Sequence, residues 1–85
     1  MKPFTYQPQG TCSKVIQFDL DDDHHLHNLQ FIGGCPGNTL GIARLTEGMK
    51  ATEIIRRLKG TRCGLKPTSC PDQLALALEE ALQQG

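Results

Sequence analysis

Charge of one sign is missing from this 85-residue sequence: nine lysines and arginines balance nine aspartates and glutamates, for a formal net charge of zero. A protein that grips nucleic acid or an anionic membrane carries an electrostatic footprint, and none follows from this balance. Long apolar runs are missing too. No segment approaches the roughly 20 residues needed to cross a bilayer. The opening stretch Met1-Lys2-Pro3-Phe4-Thr5-Tyr6-Gln7-Pro8 lacks the apolar centre of a secretory signal. The expectation is a cytoplasmic, reducing setting, where structural disulfides are rare. Low-complexity tracts and whole-domain repeats are absent. Length is short as well: one domain spans 1–85, and a chain of this size buries only about 60–65% of the surface its unfolded form exposes. Small domains often compensate with a disulfide or a structural metal.

What is there begins with alternation. From Lys14, residues Ile16, Phe18 and Leu20 face one way and Val15, Gln17 and Asp19 the other, which predicts a half-buried strand. Asp21-Asp22-Asp23-His24-His25 reads as a turn, and Leu29 and Phe31 lie inward in a second alternating run, giving an antiparallel hairpin. Residues 4–7 add a short edge strand that Pro8 ends. After Gly33-Gly34 the period changes. Leu40 and Ala43, then Ile42 and Leu45, recur at helical spacing up to a stop at Gly48. A second helix over 51–59 presents Ile54, Ile55 and Leu58 and stops at Gly60. The last helix carries Pro71 in its first turn and a stripe of Leu74, Ala75, Leu78, Ala81 and Leu82. Strands first and helices after predict an α+β domain: a small antiparallel sheet of about three strands followed by three helices packed on one face.

Four cysteines, Cys12, Cys35, Cys63 and Cys70, stand at element ends beside glycine or proline, and none occupies a core position of the strand or helix patterns where buried apolar cysteines belong. Cys35-Pro36 and Cys70-Pro71 each stand at the mouth of a helix, where unpaired N–H groups and the positive end of the dipole favour a thiolate. Four thiolates satisfy tetrahedral zinc or an iron–sulfur cluster. The spacing Cys-x22-Cys-x27-Cys-x6-Cys contains no CxxC pair, so the local setting of the thiols carries the metal reading. Two alternatives stay open: a redox-active pair, for which Cys63 and Cys70 share one loop, and unrelated structural thiols.

Other candidate chemistry has simpler explanations. His24, His25 and His27 with three aspartates suit a polar hairpin turn as well as a stray divalent cation. Ser69 and Asp72 flank Cys70 like an active-site cluster, yet a serine followed three residues later by an acid before an apolar run is a helix-capping box. No histidine lies nearby in sequence to act as a base, so no catalytic residue is assigned. Gly33-Gly34-Cys35-Pro36-Gly37 lacks the Gly-Lys-Ser/Thr of a phosphate loop. Lys50, Arg56, Arg57, Lys59, Arg62 and Lys66 bias residues 50–66 toward basic, which reads as a solvated helix face.

Thr68-Ser69-Cys70-Pro71-Asp72 spells the motif that names the TSCPD domain family. The resemblance continues through Gly10-Thr11-Cys12-Ser13, Phe31-Ile32-Gly33-Gly34-Cys35-Pro36-Gly37-Asn38, Glu47-Gly48-Met49, Arg57-Leu58-Lys59-Gly60 and Cys63-Gly64. The chain resembles the stand-alone four-cysteine bacterial branch of that family. The other branch is the C-terminal region of ribonucleotide reductases, particularly those resembling the adenosylcobalamin-dependent class. The resemblance therefore implies a link to ribonucleoside-diphosphate reductase. A complete reductase needs a large barrel, a radical-generating cofactor and a nucleotide pocket that 85 residues cannot enclose. What it implies is an accessory or interaction domain that is not a complete reductase on its own, its status as an enzyme left open, with a reductase or other protein as partner and room for a homodimer. The layout is also similar to that of U-type iron–sulfur scaffold proteins: Cys12, Cys35 and Cys70 fall where that family carries a cysteine before a strand, after the next strand and at the mouth of the last helix. Lys14 and Ser69 replace that family's aspartate and histidine, and Cys63 supplies a fourth ligand. A closed four-thiolate shell suits a held metal more than an exchangeable one.

Overall fold

A computed structural model describes residues 1–8, 13–33, 36–61 and 68–84. Three strands, β1 (Lys2–Tyr6), β2 (Ser13–Leu20) and β3 (Leu26–Gly33), precede three helices, α1 (Pro36–Thr46), α2 (Ala51–Leu58) and α3 (Cys70–Gln84). The sheet is antiparallel in the order β1-β2-β3, as the alternating sequence predicts, and the helices cover one face. Paired residues share a face, so the ladder Phe4↔Phe18 and Tyr6↔Ile16↔Phe31 sets one apolar row after another beneath the helices. The rings of Phe4 and Phe18 stack at 5.5 Å.

Ile16, Phe18, Leu26, Ile54, Leu74 and Leu78 are the largest fully buried side chains. Each stabilises the fold by about 1.5–3 kcal/mol relative to exposure. Alanines complete the packing: Ala51 on α2 and Ala75, Ala77 and Ala81 on α3 are also buried. α2 packs along α3, and α3 crosses β2. The helix stops at Gly48 and Gly60 hold as expected, with φ of +80° and +88°, a conformation glycine adopts without a Cβ penalty.

Two features depart from the sequence pattern. Between Gln17↔Gln30 and Asp19↔His27 the ladder takes two steps on β2 and three on β3. Asn28 occupies the left-handed region at φ +57° within this bulge. The extra residue brings Leu26 to the core face beside Leu29 and turns His27 outward, reversing the strict period-two register. On α1 only Ile42 and Ala43 of the four apolar residues at helical spacing pack on the core. Leu40 and Leu45 are 52% and 79% exposed, and Thr39 and Thr46 are buried in their place. Among the described residues α1 packs mainly against β3, the strand at the margin of the sheet. Thr46 is satisfied locally, its hydroxyl donating to the Ile42 carbonyl at 2.7 Å.

The basic bias of α2 is largely spent internally. Arg56 and Arg57 both bond Glu53, at 2.5 and 2.8 Å, and Lys59 reaches Glu79 on α3 at 3.0 Å. Those hydrogen bonds, from Arg56 first, hold the Glu53 carboxyl down to about 2. No helix among the described residues is long and apolar enough to cross a membrane.

Candidate functional site

Cys70 opens α3 and is half-buried. Ser69 before it is the N-cap: its carbonyl accepts the first helical bond from Gln73 N–H at 2.9 Å, and its Oγ accepts from Asp72 N–H at 3.2 Å. The capping box expected from the sequence is thus half present. The Asp72 carboxylate does not turn back onto the cap. It accepts from Gly60 N–H at 2.7 Å and from the Thr68 hydroxyl, while Gln73 Nε2 donates to Thr68 Oγ1 at 2.9 Å. The Ser69 hydroxyl donates to the Thr61 carbonyl at 2.6 Å. Thr68, Ser69, Asp72 and Gln73 are all buried. Together they form a polar clasp joining the end of α2 to the first turn of α3.

The clasp gives four of the five motif residues a physical role. Thr68 orients Asp72, Ser69 caps the helix and holds Thr61, Asp72 holds Gly60, and Pro71 fills a first-turn position that needs no N–H partner. Cys70, at the centre of the motif, is the first residue of α3.

Of the other predicted ligands, Cys12, Cys35 and Cys63 lie outside the described residues. The segments that border them do not. Cys12 immediately precedes Ser13, and Cys35 follows Gly33 by two positions; Ser13 pairs with Gly33, so those two strand ends lie side by side. Cys63 belongs to the stretch 62–67, whose neighbours Thr61 and Thr68 are both bonded to the start of α3.

The position of α3 relates these borders to Cys70. Ala81 lines one crevice with Lys2, Phe4 and Leu20, and Ala77 and Glu80 line another with Phe4, Tyr6 and Phe18. The helix therefore runs opposite to β1, its N-terminus directed toward the end of the sheet that carries Tyr6. Tyr6 senses the same neighbourhood: burial, then the charges of Glu80 and Asp72, raise its phenol pKa.

Among the described residues no group of three or more histidine, cysteine, aspartate or glutamate side chains is arranged to hold a metal. That includes the histidine cluster at the opposite end of the sheet. There His27 lies between two carboxylates, with Nε2 2.9 Å from Asp21 Oδ2 and Nδ1 2.7 Å from Glu47 Oε2. The turn explanation of these histidines missed Glu47, which is 20 residues away in sequence and arrives through the α1–α2 connection.

The family model of the TSCPD domain matches residues 4–82, nearly the whole chain. No curated protein and no solved structure matches it, so the likeness to U-type scaffold proteins rests on the cysteine layout alone.

Proposed function

The chain belongs to the TSCPD domain family, and on that footing we propose that it is a small metal-binding accessory module, not a complete enzyme, holding zinc or an iron–sulfur cluster through Cys12, Cys35, Cys63 and Cys70. Two pairings support the reading: Ser13 and Gly33, which border Cys12 and Cys35, are partners in the sheet, and Thr61 and Thr68, which border the stretch that holds Cys63, are bonded to the start of the helix that Cys70 opens. Four thiolates form a donor set suited to either group. The bound group would supply cross-linking energy to a domain whose core is small, since a metal held only by the folded state stabilises it by mass action. The clasp residues would keep the mouth of α3 in place for Cys70. A cytoplasmic setting and a partner engaged in ribonucleotide reduction belong to the same proposal, carried by the family resemblance.

Elemental analysis of anaerobically purified protein tests it. Stoichiometric zinc, or iron with sulfide, should survive dialysis and be lost, with the folded state, in Cys35→Ser. Metal-free protein with a native melting transition would overturn the reading. Visible absorption separates the two groups, because zinc is colourless and a cluster is not. A second reading, a dithiol–disulfide carrier using Cys63 and Cys70, is favoured by the tie of Thr61 and Thr68 to the helix that Cys70 opens. It predicts reversible disulfide formation between those two cysteines without metal.

A further inference from the structure

A neutral imidazole carries one N–H and one bare lone pair, so it can donate at one ring nitrogen only. His27 has a carboxylate oxygen within hydrogen-bond distance of each nitrogen, at 2.9 and 2.7 Å. In either neutral tautomer a nitrogen lone pair would face an anionic oxygen. From this geometry we infer that His27 is a proton-held latch: its imidazolium fastens the end of α1 to the β2–β3 turn, and loss of the proton releases it.

Both carboxylates are fixed independently of the histidine. Asp21 Oδ1 accepts from the backbone N–H groups of His25 at 2.9 Å and Asp23 at 3.0 Å, which aims Oδ2 at His27. Glu47 Oε1 accepts from Asn28 N–H at 2.9 Å, which aims Oε2 at the other side of the ring. The proton on His27 is therefore the variable part of the assembly. The remaining charged groups around it come from three elements. Asp19 on β2 is its cross-strand partner and is held by Asn28 Nδ2 at 2.9 Å. His25 in the turn places Nδ1 3.6 Å from Asp21 Oδ1, and Lys50 in the α1–α2 connection pairs with His25 through the backbone. Two carboxylates thus flank the His27 ring, with Asp19 across the strand and His25 beside Asp21.

The hydrogen bonds from Asp21 and then Glu47 raise the His27 pKa. Its contribution to stability is full below the ordinary imidazole value of about 6.5 and is lost as pH rises through the raised folded value. Backbone bonds, from Asn28 to Glu47 and from His25 to Asp21, lower the two carboxyl pKa values ahead of His27 itself. Their contribution is lost only as pH falls through those lowered values. The latch is closed in the range between and opens on the alkaline side. What it holds is the α1–α2 connection, which otherwise hangs on Gly48 N–H to Leu26 O at 2.7 Å, Leu26 N–H to Met49 O at 2.8 Å and Ala51 N–H to His24 O at 2.8 Å.

Nitrogen-detected NMR of the His27 ring in the full chain, followed from mildly acidic to alkaline pH, tests the inference without reference to any metal. Both ring nitrogens should be protonated at mildly acidic pH, with a midpoint above about 6.5. Hydrogen-exchange protection of the Asn28 and Gly48 amides, corrected for the intrinsic pH dependence, should fall several-fold across the same midpoint. Glu47→Gln should lower that midpoint, whereas Glu53→Gln on the surface of α2 should leave it unchanged. A midpoint at or below the ordinary value, or amide protection indifferent to the His27 titration, would overturn it. The wild-type titration decides the question even if Glu47→Gln fails to fold.

Discussion

Replacing Asp72 by alanine removes two acceptors at once from the buried clasp, leaving the Gly60 N–H and the Thr68 hydroxyl without their partner. Asp72 is only 8% exposed, so water cannot readily substitute. An amide left unsatisfied costs about 1–3 kcal/mol and a lost hydroxyl bond about 0.5–1.5, giving about 1.5–4.5 kcal/mol together. A domain of 85 residues has about 4–13 kcal/mol in total at typical stability per residue. A loss near 3 kcal/mol lowers the melting temperature by about 12–24 °C in a domain of this size. Urea unfolding followed by circular dichroism reads the change, provided the slope with denaturant is unaltered. Asp72→Asn keeps an oxygen for Gly60 but loses the acceptor for Thr68, and should cost about 1 kcal/mol. In a double-mutant cycle Thr68→Val and Asp72→Ala should be non-additive by about 1 kcal/mol. Asp72→Ala within about 0.5 kcal/mol of wild type, or strict additivity of the pair, would refute the clasp as the joint between α2 and α3.

Three further outcomes follow from the packing and the backbone. Ile54→Ala, at a side chain of α2 with no exposure in the core, should cost about 2–5 kcal/mol in the same unfolding experiment. Asn28→Gly should be tolerated, whereas Asn28→Val should lose about 1–3 kcal/mol, because a β-branched residue resists the left-handed conformation at φ +57°; equal stabilities would remove the bulge argument. Leu45→Gln should change stability by less than about 0.5 kcal/mol and improve solubility on concentration, since the side chain is 79% exposed.

The candidate metal reading and the His27 latch occupy opposite ends of the sheet. Ser13 and Gly33, which border Cys12 and Cys35, are paired at one end of the sheet, while the α1–α2 connection returns to the β2–β3 turn at the other. Their tests are correspondingly independent: a metal-free protein would leave the titration of His27 intact.

Signals that act over a few residues were readable along the chain. The inward row Ile16, Phe18 and Leu20, the glycine stops at Gly48 and Gly60, the Ser69 cap and Pro71 in the first turn of α3 depend only on local backbone geometry, and the structure has each of them. Strand-then-helix order was enough for the α+β class. The tertiary structure alone decided what depends on distant partners. It chose Thr39 and Thr46 over Leu40 and Leu45 as the inward face of α1, because a helix packed mainly on an edge strand has a spacing that permits more than one stripe. It shifted the register at Asn28, where a single extra residue exchanges the two faces of a strand. It sent Asp72 to Gly60, 12 residues away, instead of back to its own cap, and it brought Glu47 to His27 across 20. Sequence composition announces such polar side chains, but hydrogen bonds are satisfied in space, and only the folded chain fixes which donor each acceptor meets.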